Sequence, residues 1–321
     1  VVLTGWGGHI SLGQFGIAGV AGMLAGNMVV RWNVDLFLVL IAAAVAGGLV
    51  ALVVGVPALR IRGLFLAVTT LAFALALDQY FLNENTFPNL IPNNISRPLL
   101  WQRFDLEANY PMYLVCLASL MVAIVLATGV RKARAGRVLI ATRDNVRAAD
   151  AAAIPTTKVK LSGFVFAGAI AGVAGALDVL LLHSLAPGSF PPVDSITAFS
   201  YTVIGGLGSL TGALLGMLVF KFLETLTFLG TARQALNGAA LLVVLYFFPG
   251  GLGQLFFGAR DRLLRVVADR RGLLVPSLVA DRRDSAGDQH AADETNLLSG
   301  ALTGSPSGAA EDDAELETVG R

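Results

Sequence analysis

Residues 36–56, LFLVLIAAAVAGGLVALVVGV, include no side chain that carries a charge or forms a hydrogen bond. A surface helix of a soluble domain keeps a polar face, and this segment has none. About 20 such residues are what a helix needs to cross the hydrocarbon core of a bilayer. Residues 64–82, 110–130 and 161–182 have the same reach, and 10–30 is apolar but loaded with Gly13, Gly16, Gly19, Gly22 and Gly26. The composition agrees, with 55% hydrophobic and only 14% charged residues, against about a quarter charged in soluble domains. Glycine is abundant at 36 residues, as expected where helices approach closely in lipid. The expected fold class is an all-α, polytopic transmembrane helical bundle of about seven to eight apolar segments with broken glycine-rich helices.

Lys and Arg orient the spans, because cytoplasmic loops carry the excess of them. Residues 131–160, RKARAGRVLIATRDNVRAADAAAIPTTKVK, hold eight basic side chains against Asp144 and Asp150, so they belong inside. Counting outward from there, Arg60 and Arg62 also fall inside, while 83–109 and 183–194 fall outside. The basic stretch 259–271 should be inside as well, which requires an odd number of crossings after Asp194. Residues 195–205 are too short to cross. They are therefore expected to enter part-way and turn at GGLGS (205–209), with 211–229 returning outward and 235–248 coming in. The polar, acidic remainder to Arg321 is expected to be disordered. The expected domains are a transmembrane body over 1–258 and a cytoplasmic tail over 259–321.

Glycine-broken backbone is tolerated at membrane depth only where protein or a water cavity surrounds it, and such breaks often border a transport path. Two occur, in GGHISLGQFG (7–16) and GGLGSLTG (205–212), at comparable places in two halves of the chain. The candidate pathway residues are Gly8, Ser11, Gly13, Gly205, Gly206 and Gly208; close helix packing is the plainer role for such glycines. Neither break carries the Lys-Ser/Thr of a phosphate-binding P-loop.

Within the basic interval, 142–154 has the marks of one short helix. Thr142 is a cap, Asp144 sits in the first turn, Val146, Ala149 and Ala153 form a narrow apolar stripe, and Pro155 is the stop. The stripe with Arg143 and Arg147 at its rim suits docking into a groove, and an ordinary basic loop on lipid headgroups suits it equally. Asp78, Asp178, Lys221 and Glu224 are the few ionisable residues in apolar segments. The aspartates come late enough to reach the outer interface, and Lys221 and Glu224 stand one turn apart to pair. His9, His183 and His290 show no metal spacing, there is no nucleophile constellation, and the single Cys116 excludes an internal disulfide. No catalytic residue and no metal site is expected.

Five stretches in order, GGHISLGQFGIAGVAGMLAG, VPALRIRGLFLAVTTLAFA, RDNVRAADAAAIPTTKVKLSGFVFAGAIAGVAGAL, VIGGLGSLTGALLG and YFFPGGL, resemble permease subunits of branched-chain amino-acid ABC importers of the LivM type. The resemblance implies a multi-pass subunit of a bacterial or archaeal cytoplasmic membrane. It implies two ATPase subunits, a second homologous permease and an extracytoplasmic substrate-binding protein as partners, with no nucleic acid. ATP and Mg would be bound by the ATPases and no cofactor by this chain. It gives Arg143, Asp144, Asn145, Val146, Ala148, Ala149, Asp150, Ala152 and Ala153 the role of a coupling helix docked on an ATPase. Asp150 stands where relatives usually have Glu, Ala153 where they usually have Gly, and Leu75 where many carry Glu, with Asp78 one turn later. Relatives have further apolar sequence before the first glycine motif, and the acidic tail, unusual among them, is expected to link to an ATPase domain. A permease for a sugar, nucleoside or amide, an ion-coupled transporter and a membrane enzyme are the alternatives, the last without any catalytic cluster.

Overall fold

In the computed structural model the described residues are 1–61, 63–83, 86–87, 90–91, 95–98, 107–186 and 188–225, with Tyr246, Gly253, Arg260 and Leu264. The chain divides into two units, Val1–Phe256 and Phe257–Arg321, and the helical bundle lies in the first. Arg62, the Glu224 side chain, the 235–248 segment apart from Tyr246, the closing PGG, His290 and most of the tail lie outside the described residues.

All regular elements described are helical. A π-helical turn, Val2–Trp6, precedes α1 (Gln14–Trp32), α2 (Leu36–Ala58) and α3 (Leu64–Ala76), the last running on through a second π-turn, Leu77–Phe81. Then come α4 (Asn109–Lys132), α5 (Arg134–Asp144), α6 (Val146–Ala151), α7 (Thr156–Leu182), α8 (Pro192–Gly205) and α9 (Leu210–Thr225). Among the described residues five helices are long and apolar enough to cross a membrane, and α8 with α9 makes a sixth if the bent pair counts as one. That is fewer than the seven to eight segments expected, because two of those segments form one bent pair and 235–248 is not described. The first helix also starts later than its apolar run: residues 10–13 are not helical, and α1 begins at Gln14.

The centre of the bundle is α7 between α1 and α2, and glycine sets the spacing. A Cβ on Gly172 would lie 2.2 Å from the Ala43 carbonyl oxygen, one on Gly47 2.3 Å from that of Gly168, and one on Gly175 2.0 Å from that of Ala18. Lipid tails are as apolar as leucine, so such close contact, rather than escape from water, holds helices together in a bilayer. Beside these contacts Phe164, Ile17 and Ala51 are fully buried with Leu3. The opposite faces of α2 and α4 expose Phe37, Val45, Val53, Met121 and Val125, side chains suited to lipid.

The end of α7 and the segment before α4 are tied by Arg97, which is buried. Its guanidinium donates to the Leu180 and Leu181 carbonyls at the end of α7, and to the Glu107 and Ala108 carbonyls just before α4. The Ile95 amide donates to the His183 carbonyl at 2.8 Å.

The basic interval differs from the single helix expected over 142–154. Thr142 does not cap; it is buried inside α5 and donates its hydroxyl to the Leu139 carbonyl at 2.8 Å. Asn145 is the cap of α6, extended at φ −150°, and its Oδ1 accepts from the Ala148 amide at 3.0 Å. An Asn cap offers a carbonyl oxygen to the second or third amide of the helix, and here that oxygen restarts the helix after a break. Arg143 and Asp144 accordingly belong to α5. The expected stripe is split as well, since Ala149 is buried while Val146 and Ala153 are exposed. Nor is there a linker before the next span, because 156–160 is already the first turn of α7.

After α6 the Ile154 amide donates to the Ala149 carbonyl at 3.1 Å and the Ala153 amide to the Asp150 carbonyl at 3.0 Å. These are the paired bonds of a Schellman ending, which places its C′ residue in the left-handed region, most often as glycine. Ala153 holds that position at φ +56°. The turn is thus set by the helix ending itself rather than by Pro155 alone.

Two outcomes are expected for the solubilised protein. Gly172→Ala should lower its thermal stability by the equivalent of about 1–3 kcal/mol, the range for overpacking, whereas Gly129→Ala, with nothing within 4 Å, should hold or raise it. Ala153→Gly should stabilise by roughly 0.5–1 kcal/mol through relief of the left-handed strain. A melting point lowered by Ala153→Gly would contradict the assigned turn.

Candidate functional site

The first glycine break is a strip of chain whose amides have lost helical partners, and hydroxyls from two other helices supply them. The Leu12 amide donates to Thr70 Oγ1 of α3 at 3.0 Å, and the Phe15 amide to Ser195 Oγ of α8 at 3.2 Å. Thr70 is fully buried and returns its own hydrogen to the Ala67 carbonyl. Gly13 lies so close to α3 that a Cβ would sit 2.8 Å from the Thr70 carbonyl oxygen. Gln14 Nε2 donates to Ser11 Oγ at 3.4 Å.

The depth of this strip is fixed by its neighbours. Ala18 packs on Gly175, and Gly22 on Gly175 and Val179, so α1 runs parallel to α7 and Gln14 lies level with about residue 171. Ten residues past Leu161, at 1.5 Å each, puts the start of α1 about 15 Å into a core about 30 Å thick. The chain before it descends: the Leu3 side chain reaches toward Gly163, and His9 lies near Lys160.

At that lower end the strip meets the basic interval. Arg143 donates from Nη1 to the Gly5 carbonyl. Gly8, at φ +68°, lies so close that a Cβ would stand 2.8 Å from Arg143 Cγ. The Arg131 guanidinium lies 5.7 Å from the centre of the Trp6 ring, within cation–π range.

The second break, between α8 and α9, changes the helix direction by 117°. That exceeds a right angle, so the chain turns back as the parity of crossings requires. With 14 residues, α8 is about 21 Å long and too short to cross. Gly206 closes it at φ +108°, a region left to glycine, and Ser209 Oγ accepts from the Gly212 amide at 3.1 Å to start α9. The two arms pack through glycine, with a Cβ on Gly205 falling 2.1 Å from the Gly212 carbonyl oxygen.

The second break touches the π-turn that leads into the first. Gly5 lies so close to the Leu207 carbonyl that a Cβ would overlap its oxygen at 1.7 Å, and the buried Trp6 donates its indole N–H to the Gly208 carbonyl at 3.3 Å. Layout in the sequence puts the two breaks at matching positions in two halves; the structure adds this contact.

Above them opens a cavity of about 740 Å³ between α4, α7, α8 and α9, walled on one side by the first break. Small-molecule sites span about 300–1,000 Å³. Its surface is mostly apolar, with Leu120, Ile124, Ile170 and Leu214, and carries polar groups at Ser11, Gln14, Asp178, Asp194, Ser195 and Lys221. Of the candidate pathway residues only Ser11 lines it. Gly13 and Gly205 are close-packing positions, Gly8 and Gly206 are turns, and Gly208 lends its carbonyl to Trp6. From the sequence Asp178 reads as an interfacial residue, and Asp194 and Ser195 do not stand out. One available signal is that Asp194 and Ser195 open the half-length segment facing the first break.

Of the nine coupling-helix residues, Arg143 and Asp144 close α5, Asn145 caps α6, and Val146, Ala148, Ala149 and Asp150 form α6. Ala152 and Ala153 make its ending. Asp150 Oδ1 accepts from Thr156 Oγ1 at 2.9 Å, which ties α6 to the first turn of α7.

No solved structure matches the chain. Among curated proteins it is similar to the high-affinity branched-chain amino acid transport system permease protein LivM of Salmonella typhimurium. The two are 24% identical over 277 residues, covering 78% of this chain and 65% of the relative. It is also similar to LivH of Escherichia coli, 27% identical over 47% of this chain and 50% of the relative, and to BraD of Pseudomonas aeruginosa, 25% identical over 53% and 55%. The chain thus spans about 65% of the length of the LivM relatives it matches. Residues 1–249 match the family described as the permease component of branched-chain amino acid transport systems, and with that match over most of its length the chain belongs to this family of multi-pass membrane permeases.

Proposed function

We propose that the chain is the membrane-spanning permease of an ATP-driven importer for branched-chain or other apolar amino acids in a bacterial cytoplasmic membrane. Its partners in this reading are two ATPase subunits holding ATP and Mg, a second homologous permease, and an extracytoplasmic binding protein that delivers the substrate. The tail from residue 259 is read as cytoplasmic. The observation that carries the proposal, beyond the family, is the contact of the basic interval with the first break: Arg143 bonded to Gly5 and packed on Gly8.

A permease that uses ATP bound elsewhere needs a surface for the ATPase and a path from that surface to the gate. The exposed face of α6, with Val146, Arg147, Ala148 and Asp150, is the docking surface in this reading. Two paths leave it. Asp150 pulls on Thr156, the first residue of α7. Through the Asn145 hinge, α5 carries Arg143, which holds the Gly5 carbonyl, while the neighbouring Trp6 holds that of Gly208. Closure of the ATPases moves α6, both breaks shift together, and the cavity opens to one side or the other. The chain supplies a conformational equilibrium that its partners bias.

Val146→Glu or Ala148→Glu should place a charge on the docking face, leave membrane insertion intact, and lower ATP-driven amino-acid uptake in proteoliposomes at least tenfold. Uptake at the wild-type rate in both variants would remove α6 as the docking element. Arg143→Met should leave the complex assembled but lower uptake per ATP hydrolysed. In a background where Trp32 and Trp101 are phenylalanine, it should also abolish the change in Trp6 emission on ATP binding. An unaltered emission response would exclude the Arg143 path.

A further inference from the structure

A second face of the basic interval plays no part in the proposed coupling. Arg131 and Lys132 end α4, and one extended residue, Ala133 at ψ 167°, turns the chain into α5. The turn is tight, since a Cβ on Gly136 would lie 2.1 Å from the Val130 carbonyl oxygen. On α5, Gly136, Leu139 and Thr142 are buried, while Arg134, Arg137 and Ala141 are exposed. Steps of three and four put each set on its own side of the helix. The buried side faces the bundle, where Leu139 packs with Trp6 and Ala127. The arginine side faces away from it.

Three cations gather at the foot of a lipid-facing row. Met121, Val125, Gly129 and Lys132 follow one another along α4 at steps of four, four and three, so they share a side. Met121 and Val125 are 56% and 64% exposed, and a Cβ on Gly129 would meet nothing within 4 Å. Arg131 lies on the other side, over the Trp6 ring. Arg137 donates from Nη1 to the Lys132 carbonyl at 3.1 Å, which brings its guanidinium back to the foot of the row. Arg134 stands two residues past Lys132. Neither Lys132 nor Arg134 has a hydrogen-bond or ion-pair partner among the described residues. No acid stands between Glu107 and Asp144 in the sequence, and Asp144 is at the far end of α5.

The depth of α5 matches the membrane boundary. A Cβ on Gly163 would lie 3.5 Å from the Leu139 side chain, and Gly163 is two residues into the apolar run that starts at Leu161. At 1.5 Å per residue, that contact is about 3 Å inside the hydrocarbon edge. Helix α5 therefore lies along the edge, with its arginine side at headgroup level.

We infer that Lys132, Arg134 and Arg137 hold the phosphate of an anionic phospholipid whose acyl chains lie along the row of Met121 and Val125. The guanidinium fork matches phosphate geometry, and basic side chains clustered at the end of a span attract anionic lipid. An acidic surface of a soluble partner would meet the charges but could not reach the apolar row, which is inside the bilayer. Only an anion joined to hydrocarbon complements both. The inference needs the chain to span a membrane and stands apart from the transport reading.

The test is native mass spectrometry of the full chain in detergent, titrated with phosphatidylglycerol or with phosphatidylcholine of the same acyl chains. Wild-type protein should retain phosphatidylglycerol about fivefold better or more. Arg134→Gln with Arg137→Gln should bring the two lipids level, whereas Arg134→Lys with Arg137→Lys, which keeps the charge, should hold most of the preference and separates loss of charge from loss of the fold. Lys158→Gln with Lys160→Gln removes as much charge from the other basic flank and should leave the preference unchanged. Phosphatidylglycerol with a photoreactive acyl chain should label the peptide that holds Met121 and Val125. No preference in the wild type overturns the assignment, and so does an equal loss in the two Gln pairs, which would reduce the effect to net charge. Inorganic phosphate that displaces the lipid at equal concentration would show that the apolar row contributes nothing, and overturns it. A rise in phosphatidylglycerol retention when Glu311, Asp312, Asp313, Glu315 and Glu317 are changed to their amides would make the acidic tail the occupant, and overturns it too.

Discussion

A peptide group without a hydrogen bond in hydrocarbon costs several kcal/mol, and strip 7–13 is where this chain meets that constraint. A continuous helix would satisfy it trivially. The chain instead interrupts the helix deep in the membrane and recruits Thr70 from α3 and Ser195 from α8 to take the Leu12 and Phe15 amides. Helices α3 and α8 are thereby held against α1 by the break itself. The half-length of α8 is part of the same solution, because only a helix that starts inside the protein brings a serine near its first turn to the start of α1.

The spacing of the bundle comes from a second constraint. Glycines at 168, 172 and 175 let the backbones of α1 and α2 approach α7 until a methyl group would overlap a carbonyl oxygen. At such distances the contacts are between rigid main chains, and the helices slide little against one another. Arg97 fixes the C-terminal end of α7, because its last carbonyls need donors and a buried guanidinium supplies them while also holding the segment before α4.

Much of this was legible in the sequence because lipid makes simple demands. Length and uniform apolarity marked the spans. The half-helix turning back at GGLGS followed from the parity of crossings. What depended on partners distant in sequence was not legible. Thr142 has the residue type of a cap, yet it lies within α5, and the cap is Asn145 three residues on. The break 7–13 was visible, but nothing in it announced Thr70 or Ser195 as its donors' acceptors. Nothing in the pattern around Arg97 announced its role, because its guanidinium is consumed by main-chain carbonyls of α7 and of the segment before α4. Asp178 looked interfacial by its place in the segment; only the start of α8 beside it turns the position into a cavity wall.

The hinge at Asn145 matters because it separates two mechanical paths that one continuous helix would have merged. An unbroken helix over 142–154 would carry Arg143 and Asp150 as one rigid rod, and any displacement at its surface would move both by a fixed ratio. With the backbone extended at φ −150° between α5 and α6, the two attachments move separately. Asp150 acts on α7, whose glycine contacts with α1 and α2 make it stiff. Arg143 acts on Gly5, next to the π-turn residue Trp6, whose indole grips Gly208. In the proposed coupling, a force applied at α6 would be divided between the Thr156 attachment to α7 and the Arg143 attachment to Gly5.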